Sequence, residues 1–66
     1  MDSLYPILQA VMETKGVSIG TLAEIIGRSE SIVQLKLSGV REWSLSEAVK
    51  ICRYLQYHDI EQLFLR

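Results

Sequence analysis

The apolar positions of this chain recur every three or four residues almost throughout, and nowhere do they alternate with polar ones as a strand would require. Leu4, Ile7, Leu8, Val11 and Met12 trace one helical face. Asp2 or Ser3 is placed to cap its start, Pro6 suits a first turn, and Gly16 can take the left-handed closing position. Leu22, Ala23, Ile25 and Ile26 form the stripe of a second helix, capped by Ser18 and stopped by Gly27. Ser29 caps a third that runs to about Leu37, before Ser38 and Gly39. Ser44 and Glu47 then have the spacing of a capping box, in which hydroxyl and carboxylate each satisfy a free backbone donor. They open a fourth helix with Leu45, Ala48, Val49, Cys52 and Leu55 as its apolar stripe. Asp59 and Gln62 can cap a short last helix carrying Ile60, Leu63 and Phe64. Five helices joined by such short connections predict a compact all-α fold in which neighbours in sequence pack on each other.

Length limits how much this pattern can build. The 66 residues make a single domain, 1–66, and a chain this short buries only about 60% of its unfolded surface. At 48% apolar and 23% charged residues the composition is that of a globular protein and argues against disorder. The lone Cys52 cannot staple a monomer, no apolar run approaches the roughly 20 residues that span a bilayer, and no basic-then-apolar leader opens the chain. A cytoplasmic protein without membrane contact is the expectation. The formal net charge of −1 gives no general attraction to nucleic acid, so any phosphate binding must come from where the cations sit.

The stretch "KGVSIGTLAEIIG", with Ser18 opening a helix, the Leu22-Ala23 pair and the turn glycine Gly27, is followed after the third helix by a second glycine, Gly39. In these residues the chain resembles the lambda-repressor-like or Cro-type helix-turn-helix domains, the XRE family. The segment "LKLSGVREWSLSEAVKI" is similar to short phage-type repressors, with Lys36-Leu37-Ser38-Gly39, Glu42-Trp43 and Ser46-Glu47 on their characteristic places. The resemblance covers nearly the whole chain. It implies a five-helix lambda-repressor-like DNA-binding domain, with the helix-turn-helix at helices two and three, acting as a small transcription regulator on double-stranded DNA. By the same resemblance the base-reading positions fall on Glu30, Ser31 and Leu35, and a position on the phosphate side of helix two falls on Ile19.

The physics of the motif supports such an assignment. Two helices joined by a tight turn present the third helix outward, so its first turns can enter a major groove. Helix N-termini aimed at phosphates add fixed positive ends, here at Ser18 and Ser29. Lys15, Arg28, Lys36 and Arg41 lie near those junctions and are the candidate phosphate contacts. On helix three Val33 and Leu37 share one face and Leu35 lies close to opposite. Leu35 can pack on a thymine methyl, Glu30 can accept from cytosine N4, Ser31 can meet a base or phosphate, and Gln34 stands on the flank. This set lacks the bidentate arginine-to-guanine pair, so modest or shape-based specificity is expected. A competing expectation takes Ile19, Ile32 and Leu35 as an exposed apolar patch that binds protein. A homodimer on a two-fold related operator is the natural route to useful affinity for so small a domain, and the C-terminal "LFLR" offers a candidate contact.

Other chemistry is poorly supported. His58 and Cys52 have no second metal ligand near them in sequence, the carboxylates are scattered, and no phosphate-cradling loop or nucleophile beside a base occurs. No enzyme activity, cofactor or small-molecule substrate is expected. Cys52 reads as a small core hydrophobe, His58 as surface decoration at a helix start, and Trp43 as a plug over the core. Tyr5, Tyr54 and Tyr57 are expected to be half-buried.

Overall fold

The computed structural model describes residues 4–66, so the caps expected at Asp2 or Ser3 lie outside the described residues. Five helices follow one another: α1 (Pro6–Lys15), α2 (Ile19–Ile26), α3 (Glu30–Leu37), α4 (Leu45–Leu55) and α5 (Ile60–Leu63), with no strand among the described residues. Pro6 occupies the first position of α1, where its missing N–H costs nothing and its fixed φ suits the helix. Leu4 therefore precedes the helix, and its N–H donates instead to the Leu37 carbonyl at 3.0 Å.

The expected caps are in place. Ser18, Ser29 and Asp59 each accept a backbone N–H of the following first turn, and Ser44 and Glu47 complete a reciprocal capping box. Gly27 ends α2 at φ +70°, a left-handed conformation that glycine adopts without a Cβ penalty and that lets α3 begin only a few residues later. Gly39 has the same need at φ +86°, and a Cβ there would also have to displace the end of the exposed Leu4 side chain.

The core joins all five helices. Leu8, Leu22, Val33, Ile51, Leu55 and Leu63 are fully buried, with Tyr5, Met12, Ala23, Ile26, Leu37 and Cys52 around them. Three positions on α4 depart from the expected stripe, one of them Val49, which is only half-buried. Leu45 is 76% exposed, because as the first helical residue it directs its side chain back past the N-terminus and away from the core. Ile51, absent from that stripe, fills the fully buried place three residues after Ala48 and four before Leu55. Ile25, expected in the stripe of α2, packs only at the core's margin.

The aromatic residues sort differently from the uniform half-burial expected of the tyrosines. Tyr5 is buried, Tyr57 is half-buried with its hydroxyl donating to Gln62 Oε1 at 2.7 Å, and Tyr54 is exposed. Trp43 does plug the core, meeting Phe64 at 5.5 Å and Tyr5 at 6.4 Å between ring centroids, both edge-on. Of the C-terminal segment, Leu63 is buried and Phe64 partly so, which leaves only Leu65 as an exposed apolar side chain there. Among the described residues no helix is long and apolar enough to cross a membrane.

Candidate nucleic-acid interface

The third helix divides cleanly into two faces. Val33, Lys36 and Leu37 are buried, Ile32 is intermediate, and Glu30, Ser31, Gln34 and Leu35 are exposed. At 100° per residue the four exposed positions fall within an arc of about 140° on one side of the helix. All four residues expected to read bases therefore share the outward face. The competing apolar patch is smaller than expected. Ile19 and Ile32 are packed partly away and Leu35 alone is clearly exposed, at 39%.

The ends of this helix are held from both sides. At its start Ser29 Oγ accepts the Ile32 N–H at 3.3 Å, and Ser18 Oγ does the same for Thr21 at 3.2 Å on α2. At its end the Leu35 carbonyl accepts the backbone N–H groups of Val40 and Arg41 at 3.0 and 3.2 Å, drawing Arg41 against the helix terminus. Arg28 lies in the α2–α3 turn and Lys15 at the end of α1, both exposed.

Lys36 differs from the other candidate phosphate contacts in being buried. Its ammonium is turned inward, donating to Glu47 Oε1 at 2.7 Å and to the Glu42 carbonyl at 3.0 Å, and it lies 5.7 Å from the Trp43 ring centroid. The reason is positional: Lys36 falls on the buried side of α3, three residues after Val33 and next to Leu37. A cation placed there must find an internal anion, and Glu47 on α4 supplies it.

Glu47 does more than complete the capping box. It accepts the Ser44 N–H at 2.9 Å through the oxygen that also binds Lys36, and its second oxygen lies 3.8 Å from Arg28 Nε. Burial pushes its carboxyl pKa up, but the Lys36 and Ser44 hydrogen bonds and the Lys36 charge outweigh that, so the net pKa lies below the usual value. Of the remaining cations, Arg66 pairs with Glu42 at 3.1 Å, whereas Lys15, Arg41, Lys50 and Arg53 make no ion pair among the described residues. No group of three or more potential metal ligands occurs among those residues, and His58 is exposed.

Residues 8–64, from the first helix to the last, match the Cro/C1-type HTH DNA-binding domain family. The chain belongs to that family. No curated protein and no solved structure matches it. In this helix-turn-helix domain α2 and α3 are the paired helices, Gly27 and Arg28 lie in their turn, and Glu47 of α4 meets the turn at Arg28 and α3 at Lys36. A DNA-binding regulator is the function that family membership supports.

Proposed function

We propose that this domain is a sequence-specific regulator of transcription of the phage or mobile-element repressor type, acting in the cytoplasm and reading the major groove with α3. Glu30, Ser31, Gln34 and Leu35 face the bases. Lys15, Arg28 and Arg41, with the helix starts at Ser18 and Ser29, meet backbone phosphates. The exposed arc of α3 flanked by Arg28 and Arg41 is the observation that carries this reading. The Ser29 oxygen is engaged as a cap, yet its hydroxyl keeps a hydrogen to donate to a phosphate oxygen, whereas the Ser18 hydroxyl, also a cap, shares a hydrogen bond with Thr21 Oγ1 at 3.1 Å. Two copies on a two-fold related operator would double a footprint that is weak for one copy.

One observation favours a second reading, an interaction module working through protein contacts. Leu35 and Val40 are both exposed and are joined by the Val40 N–H to Leu35 carbonyl bond, which places two apolar side chains at the end of α3. Leu35→Arg separates the two readings. On DNA it adds a cation to the groove face and tightens binding, whereas in an apolar protein contact it buries an unpaired charge and disperses the assembly. Fluorescence anisotropy with duplexes selected from a random pool, and light scattering on the same samples, give opposite results in the two cases. Loss of self-association by Leu35→Arg, with no duplex affinity in the parent, would overturn the regulator reading.

A further inference from the structure

The two carboxylate oxygens of Glu47 have different surroundings. Oε1 is committed inward, to Lys36 Nζ and to the Ser44 N–H. Oε2 faces Arg28 Nε across 3.8 Å. The Arg28 side chain is 61% exposed and makes no other ion pair or hydrogen bond among the described residues. A guanidinium approached at its Nε edge keeps both terminal nitrogens for an outside anion, and its planar fork is then already oriented for two parallel bonds to phosphate.

We propose that Glu47 is a positioning residue for DNA binding: it touches no DNA and holds Arg28 in the orientation in which its terminal nitrogens meet a backbone phosphate. This rests on the DNA-binding reading above. Its other oxygen is anchored from within, by Lys36, whose ammonium also donates to the Glu42 carbonyl.

Charge alone predicts the opposite behaviour from positioning. Lys36 and Glu47 neutralise each other, so Glu47→Gln raises the net charge by one and should tighten binding to a polyanion if Coulomb attraction were all that mattered. If Glu47 orients Arg28, the same change weakens binding. Glutamine keeps an acceptor for the Ser44 N–H, so the cap survives.

The test uses the whole chain and a fluorescent duplex carrying its selected site, with folding checked by circular dichroism. Glu47→Gln is expected to bind about three- to tenfold more weakly, the range of coupling between touching residues. In an Arg28→Ala background the same substitution should change nothing further, which loosening of α3 as a whole could not produce. Lys36→Met combined with Glu47→Gln removes the buried cation as well, and should keep the fold and show the same loss. Binding by Glu47→Gln as tight as the parent or tighter, or an undiminished loss in the Arg28→Ala background, overturns the proposal. A parent without duplex affinity overturns the DNA-binding reading itself.

Discussion

Lys36→Met removes one half of the buried ion pair between α3 and α4 and leaves its shape nearly unchanged. The side chains of Lys36 and Glu47 are 9% and 8% exposed, so solvent screens them little. Breaking such a pair by deleting one partner costs about 3–5 kcal/mol, because the survivor is left charged and shielded from water. Glu47 would retain the Ser44 N–H and the more distant Arg28, and water is never far away in so small a domain, which favours the lower end, about 3 kcal/mol. A domain of 66 residues has a total stability of about 3–10 kcal/mol, so the loss is a large fraction of the whole. At ~4–8 °C per kcal/mol for this size, the melting temperature should fall by about 12–24 °C. Adding Glu47→Gln removes the stranded charge and should recover most of the loss, leaving a deficit of about 1 kcal/mol for the bonds still missing. Thermal melts followed by circular dichroism at neutral pH measure all three proteins. A Lys36→Met melt within ~4 °C of the parent would refute the reasoning and return Lys36 to the candidate DNA contacts.

Leu22→Asp or Val33→Asp should unfold the domain outright, since each places an unpaired carboxylate at a position with no solvent exposure; an unchanged melt would show the buried faces to be misassigned. The domain should also lose stability in acid. Glu47 has a folded pKa below its ordinary 4.5, so its contribution is complete above that value and disappears as pH falls through the lower folded one. Denaturation at pH 3 to 6 should show a slope that is smaller in the Lys36→Met, Glu47→Gln variant, and equal slopes would contradict the assignment. Cys52 should resist thiol reagents at pH 8 until denaturant is added, because burial first and the Asp59 charge second push its pKa above 9.0; rapid stoichiometric labelling of the native protein would contradict that.

The helices were legible because their signals are local. Ser18, Ser29, Ser44 and Asp59 announce the starts, Gly16 and Gly27 the stops, and the spacing of Leu22, Val33 and Leu55 the buried faces. What was not legible depends on pairings between distant residues. Nothing in the order of residues says that Lys36 reaches Glu47, eleven positions on, although its place between Val33 and Leu37 already put it on the inward side. The capping box concealed the second duty of Glu47, since its role at Ser44 sufficed to explain the residue. Leu45 was misplaced because periodicity does not reveal where a helix overhangs the core, and Tyr5 and Tyr54 because burial of an aromatic ring depends on which helices close over it. The outward face of α3 could be read from helical geometry alone, and family resemblance then gave Glu30, Ser31 and Leu35 on it a use, with Gln34 added by its place on the flank.

The salt dependence of duplex affinity tests the central claim most directly, because removing a cation that meets one phosphate shallows the slope of log K against log salt by about one unit. Titrations of the parent, Arg28→Ala, Arg41→Ala and Lys36→Met should give a clear slope for the parent, one shallower by about one unit for each arginine variant, and an unchanged one for folded Lys36→Met. A parent whose affinity does not depend on salt, or a Lys36→Met slope that falls with the arginine variants, would contradict the division between the buried cation and the outward ones.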